Sequence, residues 1–396
     1  MGKGDRALTC HQFDELFFLV LILSRTRLTW DVSRLNAFSG ARAFQLWDFL
    51  MKFSLFFFDG DGASAASGSY DLLLESAKFA DAHGLTAVWT PERHFHAFGG
   101  LYPNPAITSA ALAMVTERIQ LRAGSAVLPL HHPVRVAEDW AVIDHLSKGR
   151  AAMAVASGWT MDEFILSRDP HGSRRTVMWR SIDQIKRLWN GEAVSFTDVS
   201  GREVEVKTLP RPLQGKIPIW ITCQSTESYI EAGRVGANVL TSLLGGTLED
   251  VAPKIAKYRD AWNAAGHEKD AGMVSMMVHT FLGEDEEKVK DDIREPFAAY
   301  LKTHYGLLEN LAKGMGLEVS LEDFSEDDLD AILTFGVEGF IKQRSLIGTP
   351  EGCAPLIEEF QRAGVDEMCC LVDFVQDDQA VLGALPYLRK LMDICE

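Results

Sequence analysis

The feature that most constrains the fold is a regular alternation of short apolar segments with helical patterns, which starts directly after Met51. Most of the apolar segments are continuously hydrophobic, as is typical of strands buried on both faces of a parallel sheet. The predicted strands are Phe53–Phe58, Thr86–Thr90, Ile119–Leu128, Ala151–Ala156, Ile217–Gln224, Asn238–Leu244, Met273–Leu282 and Glu367–Phe374. The predicted helices are Tyr70–His83, Ala106–Val115, His132–Leu146, Ser173–Leu188, Thr226–Val235, Leu248–Ala264 and Asp378–Ile394. Eight strands that alternate with helices predict a (β/α)8 TIM barrel of the α/β class.

A doubly wound open sheet is the main alternative to the barrel, because it also alternates strands with helices. Its dinucleotide-binding form places a Gly-x-Gly-x-x-Gly turn after the first strand, and no such turn follows Phe53–Phe58. The barrel is therefore the favoured architecture.

Two segments interrupt the alternation within a predicted domain that covers residues 51–396. Residues 191–216 have the pattern of a β-hairpin before the fifth barrel strand. Residues 283–347 are longer and highly charged, with helical patterns around Pro296–Leu311 and Glu326–Leu333. This insertion follows the seventh strand and is predicted to lie over the barrel mouth, either as a lid or as a solvated helical decoration.

Residues 1–50 differ from the rest of the chain and are predicted to be an appended segment of unknown role. Their apolar run Leu16–Leu23 has eight residues, too few for a bilayer span, which needs roughly 20. Acidic residues precede this run and Ser24-Arg25-Thr26-Arg27 follows it, so the segment makes a poor signal peptide.

The charge balance limits the partners of the protein. Lys and Arg number 39 and Asp and Glu number 56, so the net charge is −17, which disfavours nucleic acid and anionic membranes. The six cysteines include no Cys-x-x-Cys pair, so a reduced, cytoplasmic environment is the simpler expectation.

Charged and imidazole side chains follow the second predicted strand directly. Glu92, Arg93, His94 and His96 come within five positions of one another, just after Pro91. Burial of such groups is costly unless they are paired, and the carboxyl ends of barrel strands carry active sites. The segment is therefore a candidate site, although an ordinary surface loop would have a similar composition. The His-x-His pair has no third ligand at a recognisable spacing, so no metal is predicted.

Three further strand ends carry small or polar residues. Gly124-Ser125 lies in the third predicted strand, where small residues let a flat ring approach the backbone. Ser157-Gly158 follows the fourth strand, and Arg174-Arg175 opens the next helix with donors suited to phosphate. The fifth strand runs through a polar cluster into a helix, and this cluster contains Gln224, Ser225, Ser228 and Tyr229. Each feature can also be explained by packing, capping or solvent exposure, but together they favour a phosphorylated ligand.

Other motifs are weaker. His131-His132 precedes Pro133 and is predicted to cap or orient the third helix. Neither a Gly-x-Ser-x-Gly elbow nor a Walker loop occurs in the chain.

The sequence resembles the bacterial luciferase-like flavin monooxygenases, and within them the MupA-like branch associated with polyketide and nonribosomal peptide biosynthesis. The segments that carry the resemblance are Val88–Phe95, Val127–Arg135, Glu138-Asp139-Trp140, Asp144–Arg150, Gly348–Glu351 and Cys369-Cys370. The Leu-Pro-x-x-His-Pro-x-Arg and Ser-Lys-Gly-Arg runs, in this order, are quite specific to the family. The family fold is a (β/α)8 barrel with an insertion near the seventh strand, which agrees with the alternation described above.

The resemblance implies a site for reduced FMN. Glu92 matches a residue under the flavin, and Gly124-Ser125 matches a non-proline cis peptide bond beside the ring. The residues that match contacts to the flavin phosphate or ribityl chain are Ser157, Arg175, Gln224, Ser225 and Ser228. Gly158 and Tyr229 adjoin these positions and belong to the same predicted cofactor site.

The chain departs from the family pattern at Arg93, where luciferase has a catalytic His. An arginine does not release its proton near neutral pH, so Arg93 is predicted to stabilise negative charge at the flavin. His94 is then the remaining candidate acid/base. Gln224 replaces a carboxylate and Ser157 replaces an Arg of luciferase, so phosphate binding is expected to depend more on Arg175 and on hydroxyl groups.

The function that the resemblance implies is a monooxygenase of specialised metabolism. Family members react reduced FMN with O2 and oxygenate a substrate through a flavin C4a-peroxide, which predicts hydroxylation or N-oxidation of a small or carrier-tethered substrate. The expected partners are a separate NAD(P)H:flavin reductase, an acyl or peptidyl carrier protein, and a second copy of the chain in a homodimer. The alternatives are a deazaflavin (F420)-dependent oxidoreductase, a non-catalytic scaffold subunit and, more remotely, a metal hydrolase.

Overall fold

The computed structural model of the protein describes residues 50–58, 70–96, 99–243, 246–269, 271–302, 339–375 and 377–396. The predicted appended segment lies outside these ranges except for its last residue, Leu50. The middle of the predicted lid, residues 303–338, also lies outside them, together with the predicted helix Glu326–Leu333.

Parallel strands form a closed barrel. Numbered along the chain, the strands are β1 (Lys52–Phe56), β2 (Ala87–Thr90), β3 (Gln120–Val127), β4 (Ala151–Ala156), β5 (Val194–Thr197), β6 (Glu203–Val206), β7 (Ile219–Thr222), β8 (Asn238–Ser242), β9 (Val274–Leu282), β10 (Ser345–Gly348) and β11 (Glu367–Leu371). Eight of them pair in the order β1-β2-β3-β4-β7-β8-β9-β11, and the pairing of β11 with β1 closes the ring. This closure confirms the predicted barrel and excludes the open sheet.

Helices follow the barrel strands as the sequence predicts. Numbered along the chain, they are α1 (Asp71–Ala82), α2 (Pro105–Ala113), α3 (Pro133–Leu146), α4 (Arg174–Trp189), α5 (Thr226–Arg234), α6 (Leu248–Ala264), α7 (Glu286–Lys302), α8 (Pro350–Arg362) and α9 (Asp378–Cys395). The seven predicted helices that alternate with the strands are all present, with ends close to the predicted residues. The predicted hairpin is also present, because β5 pairs with β6 in antiparallel fashion.

Helix α8 and strand β10 were not predicted from the sequence. The start of α8 carries clear signals, since the Thr349 side chain accepts a hydrogen bond from the Gly352 amide and Pro350 occupies the first turn. Gly352 and Pro355, both poor helix formers, obscure the helical pattern in the sequence. Strand β10 has only four residues and pairs with the second half of β9, so the end of the insertion returns to the barrel wall.

The cysteines of the described part of the chain are free, and most are buried. Burial raises the pKa of the Cys223 and Cys370 thiols to about 12, so these thiols stay protonated and unreactive near neutral pH. Within the described ranges, no helix combines the length and the apolar character needed to cross a membrane.

A buried ion pair fills the amino-terminal end of the barrel. The Nη1 atom of Arg122, near the start of β3, lies 2.7 Å from Oε2 of Glu367, the first residue of β11. The Arg122 guanidinium lies over the rings of both Trp89 and Trp220, at 4.5 and 4.3 Å from their centres. Because all four side chains are almost fully buried, this end of the barrel is packed and the opposite end is left for a site.

Candidate active site

A cavity of about 700 Å³ lies at the carboxyl ends of the barrel strands. Its volume falls within the range of roughly 300–1,000 Å³ that small-molecule and cofactor sites occupy. The wall comes from the ends of six barrel strands and from the first turns of α4 and α5. Ten of the twelve predicted site residues line it, namely Glu92, Arg93, Gly124, Ser125, Ser157, Gly158, Arg175, Gln224, Ser225 and Ser228.

The two predicted site residues that do not line the cavity are His94 and Tyr229. Nε2 of His94 lies 3.1 Å from Oε1 of Glu92, so His94 contacts a residue that lines the cavity without lining it itself. Tyr229 is fully buried on the barrel-facing side of α5, and its hydroxyl donates to Oγ1 of Thr241 at 2.6 Å. Burial raises the pKa of Tyr229 well above its usual value, so the phenol stays protonated. Tyr229 therefore supports the wall of the site and does not face its interior.

Arg93 is a buried cation on the cavity wall. Its guanidinium carbon lies 4.4 Å from the centre of the Phe58 ring and 5.3 Å from the centre of the Trp159 ring. Burial lowers the pKa of Arg93, whereas the negative charge of Glu163 opposes this change. An arginine starts from so high a pKa that it stays charged, so the cavity holds a permanent positive charge beside two aromatic rings.

Glu92 accepts three hydrogen bonds at the edge of the cavity. Nε2 of His131 lies 2.6 Å from Oε1 of Glu92, the same oxygen that His94 contacts, and the Val127 amide donates to Oε2 at 2.7 Å. Burial raises the pKa of Glu92, but the hydrogen bonds from His131 and His94 outweigh burial, and the pKa lies below its usual value. The carboxylate is therefore ionised near neutral pH.

The peptide bond between Gly124 and Ser125 is cis, as the resemblance implied. A Cβ atom on Gly124 would come within 2.9 Å of the Phe56 ring and 3.0 Å of Cβ of Trp89, so only glycine fits here. The Ser125 hydroxyl lies 2.5 Å from the Thr222 hydroxyl. The two hydroxyl groups form a polar position on the cavity wall.

Another part of the cavity is suited to an anion. Arg174 and Arg175 stand at the start of α4, and both line the cavity. Helix α5 begins after Ser225, whose hydroxyl accepts from the Ser228 amide at 3.4 Å, and the Ser228 hydroxyl donates to the Ser225 carbonyl at 2.7 Å. A helix amino-terminus, hydroxyl groups and a guanidinium are the donors that bind phosphate in proteins.

The donor set of the cavity fits a phosphorylated flavin. Guanidinium and hydroxyl donors of the kind that bind phosphate line the cavity, and so do the Gly124-Ser125 segment and the Phe56 and Met277 side chains, which a flat ring could contact. Among the described residues, no group of three or more His, Cys, Asp or Glu side chains could hold a metal ion.

Sequence patterns did not reveal every residue of the site. Thr222, Trp159 and Glu163 line the cavity, although the sequence patterns did not single them out as site residues. Arg174, which the sequence offered beside Arg175 as a phosphate donor, lines it as well.

The pair His131-His132 was predicted to cap or orient α3, and His132 does so, because its Nδ1 accepts from the Val134 amide at 3.3 Å. The contact of His131 with Glu92 was not predicted. The sequence signal that could have pointed to His131 as a site residue was the pair of adjacent histidines shortly after β3.

A closed parallel barrel with its cavity at the carboxyl ends of the strands is the architecture of the TIM-barrel enzymes. The family model described as luciferase-like monooxygenase matches residues 51–367 of the chain. The chain therefore belongs to the luciferase-like monooxygenase family, and it is an enzyme of this flavin-dependent class, as the sequence predicted.

Individual relatives agree with this assignment. The oxygenase component of the flavin-dependent trigonelline monooxygenase from Acinetobacter baylyi is 24% identical over 314 residues, which cover 77% of this chain and 83% of that protein. The oxygenating constituent of 3,6-diketocamphane monooxygenase from Pseudomonas putida, solved in complex with FMN, aligns with a TM-score of 0.71 and 18% identity over 86% of this chain and 98% of that chain. An F420-dependent secondary alcohol dehydrogenase aligns with a TM-score of 0.64 and 15% identity over 88% of this chain and 99% of that chain. The two structural likenesses show the shared fold.

Proposed function

We propose that this chain is the oxygenase component of a two-component monooxygenase, which binds reduced FMN and uses O2 to hydroxylate or N-oxidise a small organic substrate. The observation that carries the proposal is one cavity that combines donors suited to phosphate with a buried cation beside two aromatic rings. Reduced FMN, when bound, supplies the two electrons that activate O2.

The side chains of the cavity have distinct tasks in this proposal. Arg175, Ser225 and Ser228 bind the phosphate, and the Gly124-Ser125 backbone supports the ring. Arg93 stabilises the negative charge that develops on oxygen, because a fixed cation is most effective in a site from which water is excluded. His94, the predicted acid/base, does not line the cavity and is hydrogen-bonded to the buried carboxylate of Glu92.

The proposed partner is a separate NAD(P)H:flavin reductase. The relative from Acinetobacter baylyi is itself named an oxygenase component, which supports a division of labour between two proteins. We extend the proposal to a substrate of specialised metabolism, in the manner of the MupA-like branch, that is free or tethered to a carrier protein. This extension rests on the sequence resemblance alone.

We also propose a homodimer, and exposed apolar side chains on two adjacent helices support it. Ile107 on α2 and Met114 at its end are 69% and 70% exposed, and Val142 and Leu146 on α3 are 45% and 43% exposed. Since large apolar side chains in neighbouring positions favour burial against a partner, this surface suits a second copy of the chain.

The second candidate function is an F420-dependent oxidoreductase that transfers hydride and does not use O2. The specific observation in its favour is the fold shared with the F420-dependent alcohol dehydrogenase. Deazaflavins lack the reactivity with O2, so the two functions differ in a measurable way.

The test measures binding of oxidised and reduced FMN and of F420 under anaerobic conditions, followed by O2 uptake with an added flavin reductase and a panel of substrates. We expect FMN to bind more tightly than F420, and O2 uptake to be coupled to an oxygenated product. Preferential binding of F420, or hydride transfer without O2 uptake, would establish the second function and contradict the first.

A further inference from the structure

Trp159 is a large aromatic side chain that lines the cavity and yet remains largely exposed. It lies in the loop after β4, and 70% of its surface is exposed. The guanidinium carbon of Arg93 lies 5.3 Å from the centre of the indole, and among the described residues no aromatic ring packs on it. Because burial of a large aromatic side chain is favourable, an exposed indole in a cavity wall offers a surface that a bound molecule can cover.

The loop that carries Trp159 is held in place on both sides of this residue. Gly158 has a φ of 79°, and a Cβ atom there would lie 2.9 Å from Cγ1 of Val127, so the backbone packs tightly at this point. Further along the loop, Oε1 of Glu163 accepts a hydrogen bond from the His94 amide at 3.2 Å. The backbone is therefore anchored before and after Trp159, and the exposed indole belongs to a fixed part of the cavity wall.

Trp159 is distinct from the residues to which the proposed function assigns the flavin. The flavin ring is assigned to the Gly124-Ser125 segment of β3, and the phosphate to the first turns of α4 and α5. Trp159 instead stands beside Arg93, which is assigned to the negative charge that develops on oxygen. A molecule that covers the indole would lie near this charge and would leave the phosphate donors free.

An indole face favours flat, conjugated groups over saturated groups of similar size. Aromatic rings stack in offset or edge-to-face arrangements and gain stabilisation beyond the area that they bury, whereas a saturated ring gains only the burial. The neighbouring guanidinium of Arg93 increases this preference, because a cation attracts the face of an aromatic ring. Trp159 and Arg93 together therefore favour a planar ring.

On the basis of the function proposed above, we infer that Trp159 forms the substrate subsite of the cavity and takes a substrate with a planar aromatic or heteroaromatic ring. The substrate ring lies on the indole next to Arg93, so that the ring itself is presented for oxygenation. The subsite narrows the proposed substrate from a small organic molecule to an aromatic one.

The first test measures the binding of two probes that share one carbon skeleton, planar 2-naphthol and saturated decahydro-2-naphthol. Calorimetric titration is carried out on the protein without flavin and with oxidised FMN. We expect 2-naphthol to bind to the wild type about 3- to 10-fold more tightly than the saturated probe. This preference should disappear in Trp159→Leu, and part of it should be retained in Trp159→Phe, which keeps an aromatic face.

The matched control is Ile165→Ala, because Ile165 is an apolar residue of the same loop, is 77% exposed and does not line the cavity. Its affinity for both probes should equal that of the wild type, and all variants should keep the wild-type affinity for FMN. Equal affinity of the wild type for the two probes, or binding of neither, would overturn the subsite. A loss of FMN affinity in Trp159→Leu as large as the loss for 2-naphthol would also overturn it, since Trp159 would then contact the flavin.

The second test measures oxygenation, with a flavin reductase and a panel that pairs aromatic compounds with their saturated counterparts. We expect products from aromatic members of the panel, and in Trp159→Leu we expect their KM to rise more than kcat falls. Products from saturated compounds alone would contradict the aromatic subsite and leave the proposed oxygenase intact. A wild-type protein that prefers 2-naphthol but neither binds FMN nor forms any product would contradict the oxygenase and retain the subsite for a planar ring.

Discussion

The guanidinium carbon of Arg93 lies 4.4 Å from the centre of the Phe58 ring, so a buried cation stacks on an aromatic wall of the cavity. This contact fixes the plane of the guanidinium and the direction in which its N–H groups point. The charge is therefore in place before any reactant arrives, which is the condition under which electrostatic stabilisation is most effective.

Replacement of Arg93 is expected to impair the reaction more than the binding of flavin. In Arg93→Ala we expect kcat to fall about 100- to 1,000-fold, because the charge that develops on oxygen loses its fixed partner. Arg93→Lys keeps the charge without the planar stack, so its kcat should lie between that of the wild type and that of Arg93→Ala. Steady-state kinetics and FMN titration measure both effects, and a wild-type rate in Arg93→Ala would contradict the role assigned to this side chain.

The space around Gly124 predicts a loss of both stability and flavin binding in Gly124→Ala. The added Cβ would meet the Phe56 ring at 2.9 Å, and overpacking of this kind costs about 1–3 kcal/mol. Urea unfolding and FMN titration are the measurements. Gly215→Ala is the control, because nothing lies within 4 Å of a Cβ there. Equal stability of Gly124→Ala and Gly215→Ala would show that the side chains around Gly124 can move to accommodate a Cβ atom, and would contradict the prediction.

Arg175 is expected to distinguish FMN from riboflavin. Hydrogen bonds to charged groups contribute about 1.5–3 kcal/mol, so Arg175→Ala should weaken FMN binding roughly 10- to 100-fold and leave riboflavin binding unchanged. Arg180→Ala is the control on the same helix, since Arg180 is 57% exposed and its charge pairs with Asp169 at 3.3 Å. Fluorescence titration gives both affinities. Equal losses for FMN and riboflavin in Arg175→Ala would place the phosphate elsewhere.

The buried ion pair at the amino-terminal end predicts a large effect on stability when one partner is neutralised. In Glu367→Gln the Arg122 charge remains buried without its partner, which costs about 3–5 kcal/mol. The double variant Arg122→Met/Glu367→Leu removes both charges and should recover most of this loss. Urea unfolding of the single and double variants tests the expectation, and a single variant as stable as the wild type would refute it.

The proposed homodimer predicts that a charge on α2 separates the subunits. Ile107→Asp should shift the sedimentation coefficient from that of a dimer to that of a monomer, because an isolated carboxylate is costly to bury. Ile230→Asp is the control, as Ile230 is 39% exposed on α5. If only the control variant Ile230→Asp is monomeric, the interface lies at α5. A monomeric wild-type protein would contradict the proposed homodimer.

The barrel and its helices could be predicted from the sequence because each strand and each helix has its own local pattern of hydrophobic residues. The cavity could be predicted only in part. Tyr229 belongs to the same polar cluster as Ser228, and the cluster does not show which face of α5 turns towards the barrel interior. The pairing of His131 with Glu92 joins residues 39 positions apart, and no local pattern encodes it.

Glu163 shows why the remaining residues escaped prediction. It lies in a short 3-10 helix after β4, in a segment without hydrophobic periodicity, and it becomes a cavity residue only through the path of that loop. The cis bond at Gly124 was foreseen from the family resemblance, and composition alone would have indicated only a need for small residues.

The ion pair and the two indole rings that fill the amino-terminal end of the barrel also determine the direction from which ligands reach the cavity. In the described part of the barrel, the proposed flavin, substrate and O2 would share the opening at the carboxyl ends of the strands. The molecule that lies deeper must then arrive first and depart last. We therefore expect an ordered kinetic mechanism, in which reduced flavin binds before the substrate and oxidised flavin leaves after the product.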